Sequence, residues 1–484
     1  MVTKEEEDDE IRSEAAVVVL GDVGRSPRMC NHAKMLADGG FDVKIIGFYD
    51  SIPGEQITNH PRIKIVGIPA PPDFMDSLPA IVQLPLKLIW NFVTLFLTMA
   101  FRTSAFNLRV ILMQNPPGLP TAIVCFLISL IKCSKFTIDW HNYMYSILQN
   151  KYNLADGDRS PKGRIVKGVS ILEGICGKLS DYNLCVTDAM RRDLMERWGV
   201  RANTFYDRPP TWKFRPTSLL EIHDLYAKLG ESDRPNETIL TQKTADGSVT
   251  LLPDRPLVLL SSTSWTPDER FEILLDALVD YEKAAKNDPG LPKILMIITG
   301  KGPLKAKYLS DIQEKDLKNV KILTPWLEAD DYPKILASAD LGISLHTSTS
   351  GLDLPMKVVD MFGAKIPALA LKFKCIDELV EDRVNGYLFE DSSQLSRQIV
   401  ELSRGFPNRC DDLTRLKRNT QEMKFESWET MWKRSAAPVA NLTPPDNGFA
   451  KLRAIIQLSF LVIMILIPIH LAMGTFSGGG GGLN

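Results

Sequence analysis

The sequence predicts an α/β protein built from two doubly wound units, each a parallel sheet covered by helices on both faces. Two observations carry this reading. Nearly continuous apolar runs rich in Val, Ile and Leu alternate with helical patterns, first between 14 and 214 and again between 257 and 424. Strands that are apolar on both sides belong to sheets buried on both faces. A polar, aperiodic stretch at 215–256, with SDRPNET and QKTADGS, separates the two sets and reads as a linker with an insertion. Two such units predict an interdomain cleft, because ligands of open α/β sheets sit beyond the C-terminal ends of the strands.

The chain opens with an acidic, polar segment, 1–13, expected to be disordered and unlike a signal peptide. In the first unit the expected strands are AAVVVL (Ala15 to Leu20), VKIIGF (Val43 to Phe48), IKIVGI (Ile63 to Ile68), LRVILMQ (Leu108 to Gln114), FTIDW (Phe136 to Trp140) and DYNLCVT (Asp181 to Thr187). Leu78 to Phe101 is long and apolar but carries Pro79, Pro85, Lys87 and Asn91. A true span there would split the sheet across a bilayer, so the segment reads as a helix in the membrane interface, with Lys87 and Trp90 as headgroup anchors. The second unit offers LVLLSST (Leu257 to Thr263), KILMIITG (Lys293 to Gly300), VKILT (Val320 to Thr324), DLGISLH (Asp340 to His346) and IPALAL (Ile366 to Leu371). FESWETMWKR lies within an amphipathic helix, 425–437, expected to cross back and brace the first unit. A polar linker, 438–453, leads to AIIQLSFLVIMILIPIHLAM (454–473), long enough to cross a bilayer, and a Gly-rich tail, 474–484. Lys451 and Arg453 precede that span and no basic residue follows it, which places the globular body in the cytosol.

The 57 basic and 59 acidic residues give a net charge of −2, with no field and no basic–aromatic stripe for nucleic acid. Seven scattered cysteines, never in a C-x-x-C pair, indicate reduced thiols and argue against a zinc site. The sequons at Asn236 and Asn441 are chance matches if the body is cytosolic.

Four segments carry chemistry. GDVGRSPR (Gly21 to Arg28) follows the first strand, where a turn into a helix N-terminus can hold a phosphate. Gly21 and Gly24 permit the turn and close approach, Ser26 precedes the helix, and Arg25 and Arg28 add guanidinium donors. An ordinary turn with surface arginines is the competing reading, and neither a Walker loop nor a dinucleotide fingerprint is present. ITGKGPLK places Gly300, Lys301 and Gly302 before a helix starting near Pro303, suited to a diphosphate or else a plain turn with a solvated lysine. In GISLHTSTSGLDLPMKVVDMFGAKIP, a strand ends in His346, a small-residue run leads to Pro355, and Lys357 and Asp360 share a helix face. There the lysine can neutralise a departing nucleotide and the acid can grip ribose, or the two form a solvated ion pair. In IDWHNYMYS, Asp139 and His141 can both move protons, while Trp140, Tyr143 and Tyr145 can stack on sugars or pack the core.

The third of these segments resembles the P-x-K-x-x-E-Y-x-A-x-G region of GT-B glycosyltransferases, which have two facing Rossmann-like domains. Asp360 stands for the usual glutamate, and Asp353 lies one position off a second acid that many relatives carry upstream. GDVGRSPRM, IDWHNY, SSTSWTPDE and SGLDLPMKVVDMFG, in this order, are similar to the chitobiosyldiphosphodolichol β-mannosyltransferases of early N-glycan assembly, over roughly Glu14 to Arg434. The resemblance implies GDP-mannose as donor, dolichol-diphosphate-linked chitobiose as acceptor, and addition of a β-1,4 mannose on the cytosolic face of the endoplasmic reticulum membrane. Other early mannosyltransferases of the same assembly line are candidate partners. Relatives usually carry their anchor at the N-terminus; here it is expected at the C-terminus.

A β product from an α-linked donor requires inversion, hence a general base for the acceptor O4 and positive charge for the leaving diphosphate. The base should come from the first unit, leaving Asp22, His141 and Asp139. No D-x-D motif stands out, so Lys301, Lys357 and helix N-termini replace an obligatory metal, and a divalent cation would only stimulate. Gly300, Gly302, His346, Asp353 and Asp360 complete the donor side, while Gly21, Gly24, Arg25, Ser26 and Arg28 are assigned to the acceptor diphosphate. Competing readings are a retaining α-mannosyltransferase of the same fold and a non-catalytic membrane-anchored nucleotide-sugar-binding partner.

Overall fold

The computed structural model describes residues 13–437, apart from 211–212, 232–233, 235, 267–268 and 329. The acidic N-terminus and the expected linker, membrane span and tail after 437 lie outside the described residues. The described chain divides into two compact units, the first holding 13–186, 191–205 and 429–437, the second 187–190 and 206–428.

In the first unit, β1 (Glu14–Asp22), β2 (Asp42–Phe48), β3 (Ile63–Gly67), β4 (Leu108–Asn115), β5 (Lys135–Trp140), β6 (Tyr182–Cys185) and β7 (Asn203–Thr204) form a parallel sheet in the order β3-β2-β1-β4-β5-β6-β7. Val17, Val18, Ile45, Ile46, Ile111 and Leu112 are fully buried, as strands covered on both faces require. Helices α1 (Pro27–Asp38), α2 (Glu55–Thr58), α3 (Ala80–Arg102), α4 (Thr121–Lys132), α5 (Met144–Lys151), α6 (Pro161–Leu179) and α7 (Asp188–Trp198) alternate with the strands. The strand order reverses between β1 and β4, and a crevice for ligands opens at such a point.

One glycine sets the geometry there. The pairing of β1 with β2 slips between Val19 and Asp22, which bends the end of β1 across Gly47. A Cβ at Gly47 would overlap the Val19 carbonyl oxygen and crowd Val23.

Helix α3 packs Leu95 and Met99 inward, yet only 11% of its apolar stretch Val82–Arg102 is buried, so it is not a core helix. The polar ends of its two expected headgroup anchors are engaged within the protein instead. Lys87 pairs with Asp76, and Trp90 Nε1 donates to the Pro69 carbonyl at 3.2 Å. The C-terminal carbonyls of α3 are satisfied by a buried ammonium from α4. Lys132 Nζ donates to the carbonyls of Met99, Ala100 and Thr103 at 2.8–2.9 Å, and burial pushes its pKa down to about 8.

The segment 215–256, expected as a linker, is part of the second unit. It carries α8 (Leu219–Lys228) and the hairpin of β8 (Thr241–Lys243) and β9 (Val249–Leu251). Ile222, Leu225, Tyr226 and Leu240 are buried against Val258 and Leu260. The signal was present in the sequence: Ser218 and Glu221 form a capping box at the start of α8.

The second sheet, β12-β11-β10-β13-β14-β15, is also parallel. Its strands are β10 (Leu257–Ser262), β11 (Ile294–Thr299), β12 (Val320–Leu323), β13 (Leu341–Ser344), β14 (Ala368–Leu371) and β15 (Gly386–Phe389), the last unanticipated. They alternate with α9 (Phe271–Asn287), α10 (Lys305–Gln313), α11 (Tyr332–Ala337) and α12 (Met356–Gly363), and α13 (Ser392–Ser403) and α14 (Asp411–Glu422) follow. The order reverses between β10 and β13. Finally α15 (Trp428–Met431) and a π-helical turn, Trp432–Ala436, rejoin the first unit, where Trp432 packs 5.0 Å from the His32 ring and 6.3 Å from Phe205.

Replacing Gly47 by Ala should cost about 1–3 kcal/mol, the range for overpacking, because the obstructing atom is backbone. The check is the urea midpoint of the full chain; a wild-type midpoint would mean that β1 and β2 part without penalty.

Candidate active site

In the first unit the candidate residues cluster around one carboxylate. Asp139 is the penultimate residue of β5 and is fully buried. Arg28, from the first turn of α1, donates to it twice, Nε at 2.7 Å and an η nitrogen at 2.9 Å. His32, one turn further on, and His141, just past β5, bring their Nε2 atoms to the same Oδ2 at 3.1 and 2.9 Å. Burial pushes the Asp139 pKa up, but the Arg28 and His141 charges and the two histidine hydrogen bonds outweigh it and hold the carboxyl well below its usual range. An ionised carboxylate only accepts, so each histidine presents Nε2–H to it, a tautomer assigned from the bonding pattern. In its neutral form His141 therefore carries its lone pair on Nδ1, which has no hydrogen-bond partner among the described residues. Burial lowers the pKa of His32 against the pull of Asp139, so this ring stays neutral.

This geometry corrects two assignments. Arg28 is not an open phosphate ligand: it is buried, bound to Asp139, and its other η nitrogen donates to the Phe205 carbonyl at 2.8 Å. Asp139 is enclosed, and its carboxylate is taken up by Arg28, His32 and His141. The sequence shows the spacing of Arg25 and Arg28 but not that α1 turns the second inward.

Asp22 lies at the end of β1 and caps the turn of Val23–Arg25. Its carboxylate accepts from Ser51 N at 3.1 Å, from Gly24 N at 3.3 Å and from the Ser51 hydroxyl. The Ser51 hydroxyl is the main reason its pKa lies below the ordinary value, and a carboxylate so engaged is a weaker base. Arg25 projects into solvent, its side chain 83% exposed and 3.3 Å from Asp22. Gly24 is obligatory because a Cβ would overlap the Ser51 carbonyl, whereas Gly21 lies within β1 and has room for one. The Ser26 hydroxyl makes a long, 3.4 Å bond to the Asp22 carbonyl and does not cap α1.

The loop bearing His141 is tied down from two sides. Its backbone N–H donates to the Asn115 carbonyl at the end of β4, at 2.8 Å. Glu173, a buried carboxylate of α6 that sequence reading passed over, accepts from Met144 N, Tyr145 N and Asn115 Nδ2 at 2.8–3.1 Å, and burial raises its pKa. Trp140 and Tyr143 are fully buried, with Trp198 and the half-buried Tyr145 around them, so these two rings are core.

In the second unit the donor candidates surround the ends of β10 and β13 and are linked in pairs. Lys357, on α12, is ion-paired with Glu269, a buried acid in SSTSWTPDE that also accepts from the Thr263 hydroxyl and from Ser264 N. Asp360, one turn on, lies 3.5 Å from Lys213. Burial raises the Asp360 pKa, opposed by Lys213 and the Tyr332 hydroxyl. His346 Nε2 is 3.6 Å from Asp353, which Ser348 and Ser350 also reach. Lys301 lies 3.6 Å over the Trp326 ring. Gly300, at φ +125°, and Gly302 are required by the neighbouring loop: a Cβ on either would overlap the Thr263 or Ser264 carbonyl oxygen. Both are needed for contact between these two loops, and α10 begins at Lys305, beyond Pro303. Lys213 and Tyr332 carried no signal in the sequence. Among the described residues no group of three or more His, Cys, Asp or Glu is placed to hold a metal ion.

Comparison with known proteins gives this geometry a context. Residues 255–404 match the family model of glycosyl transferases group 1. Over 446 residues the chain is 43% identical to a Mus musculus chitobiosyldiphosphodolichol beta-mannosyltransferase, covering 88% of this chain and 90% of the mouse protein. It is 41% identical over 466 residues to the Arabidopsis thaliana UDP-glycosyltransferase TURAN, covering 88% and 97%. The structure of Anabaena Alr3699/HepE in complex with UDP and glucose superposes with a TM-score of 0.58 at 15% identity, covering 88% of this chain and all of that one. The fold is GT-B.

Removing one partner of a buried charge cluster costs about 3–5 kcal/mol, and Asp139→Asn should lower stability at pH 7 by that amount. The sign follows from the depressed pKa: the carboxylate stabilises the fold above its unfolded value near 4, and the contribution fades as pH falls through the lower, folded value. The variant should therefore lose less than wild type on acidification below pH 4. Urea midpoints measured across that range check it; parallel curves would show that Asp139 carries no such linkage.

Proposed function

The chain belongs to the chitobiosyldiphosphodolichol β-mannosyltransferase family, and from this we propose that it transfers mannose from GDP-mannose to O4 of dolichol-diphosphate-linked chitobiose, with inversion. It is a mannosyltransferase of N-glycan precursor assembly. The observation that carries the mechanism is the Asp139–His141 pair. His141 Nδ1 takes the acceptor hydroxyl proton as O4 attacks the anomeric carbon and the bond to GDP breaks. Asp139, already ionised, fixes the ring tautomer and stabilises the imidazolium that forms. Asp22 holds the Val23–Arg25 turn against Ser51, and the exposed Arg25 meets the acceptor diphosphate.

On the donor side, Lys357 and Lys301 neutralise the departing diphosphate and Asp360 takes the ribose hydroxyls. Lys357 is held by Glu269 until a diphosphate competes for it. His346 and Asp353 face the donor sugar. A divalent cation is a stimulant in this scheme rather than a requirement.

The same reading places the enzyme on the endoplasmic reticulum membrane with both units in the cytosol, among the other early mannosyltransferases. Its supports are the basic residues before 454–473, the free cysteines and the exposed apolar face of α3.

Two experiments test the roles. With radiolabelled GDP-mannose and detergent-dispersed acceptor, His141→Gln should abolish turnover while GDP-mannose still binds, and Asp22→Asn should mainly raise the acceptor KM. The reverse pattern would make Asp22 the base, and a product resistant to β-mannosidase would mark a retaining enzyme. Lys357→Ala should lower kcat by about 10²-fold, as loss of one transition-state donor does, and weaken GDP binding; unchanged values for both would remove Lys357 from the donor site.

A further inference from the structure

Outside the site, α6 has an outward face that no packing partner in its unit explains. Ile165, Leu172, Ile175 and Leu179 recur at helical spacing, and Ile165 is 61% exposed. Arg164, Lys167 and Lys178 run along one edge of this stripe, and the exposed Lys162, lying over the Tyr152 ring, flanks the other. None of the three forms an ion pair among the described residues, and the one acid of α6, Glu173, points inward to Asn115 and the start of α5. An apolar stripe with a basic margin is the pattern of a helix lying in a membrane interface, the cations meeting anionic headgroups. An apolar protein partner would need no such basic margin.

The neighbourhood points the same way. Helix α4 packs against both α3 and α6, and its own Ile123 and Ile131 are exposed. The apolar surface of α3 therefore continues across α4 to α6 as one layer on one side of the first sheet. We infer that α6 is a second membrane contact of the first unit, selective for anionic lipid, which with α3 lays that whole helical layer on the bilayer. The inference rests on the membrane location proposed above and concerns how the unit is oriented there, not the reaction.

The test uses the full chain with Cys133, its exposed thiol, replaced by serine. An environment-sensitive fluorophore is placed at Ile175→Cys, or at Lys318→Cys in the second unit as control. The protein is reconstituted into phosphatidylcholine vesicles with or without phosphatidylserine, with spin-labelled lipids as quenchers. A blue shift and quenching at 175 but not 318, stronger with phosphatidylserine and lost to the phosphatidylcholine level in Arg164→Gln/Lys167→Gln/Lys178→Gln, is the expected result. Water-like emission at 175 in both vesicles overturns the inference. So does quenching indifferent to phosphatidylserine, or a lipid-independent blue shift that grows with protein concentration and marks a second copy. The readout contains no substrate, so failure of mannose transfer leaves it interpretable, and a wild-type thermal midpoint shows that each variant is folded.

Discussion

A carboxylate with no access to water must be matched by charge and hydrogen bonds, and Asp139 imposes that condition on the first unit. Its partners come from far apart in the chain: Arg28 and His32 from α1 and His141 from the loop after β5. Arg28 in turn holds the Phe205 carbonyl beside β7, and His32 lies against Trp432 of the returning C-terminal segment. One charge thus connects the first helix, the central strands and the last described turn. The imidazole proposed as the base inherits its orientation from this network.

The second unit handles charge differently. Lys357 with Glu269 and Asp360 with Lys213 form partly enclosed pairs at the strand ends. Pairs of this kind keep like charge from concentrating at the strand ends, and a diphosphate bound as proposed would exchange partners with them instead of meeting bare ammonium groups. Binding free energy is then a difference between two sets of contacts, so loss of a lysine is felt both by the ligand and by the acid left behind.

The sheets were legible because strands buried on both faces write themselves as unbroken apolar runs, and each expected strand appears within a residue or two at most ends. The positions of His141, Lys357 and Asp360 were legible because they follow strand ends in compact motifs. Direction was not. Arg25 and Arg28 look equivalent in GDVGRSPR, yet one faces solvent and the other is enclosed; the hint was that Arg28 and His32 are four apart and share a face of α1 with the buried Met29 and Leu36. Pairs remote in sequence, such as Glu269 with Lys357, leave no local trace. The segment 215–256 was read as linker because polarity outweighed its capping box, and the aromatic trio after Asp139 gave no sign of which way the rings point.

The contact of Gly300 and Gly302 with the carbonyls of Thr263 and Ser264 has a bearing on how donor preference can change over evolution. Two loops that touch backbone to backbone cannot vary separately: an insertion or a bulkier residue in one is tolerated only with a matching change in the other. If these loops hold the donor as proposed, drift toward another nucleotide sugar would require coupled substitutions, passing through poorly folded intermediates. A chimera that borrows one of these loops from a relative must borrow both.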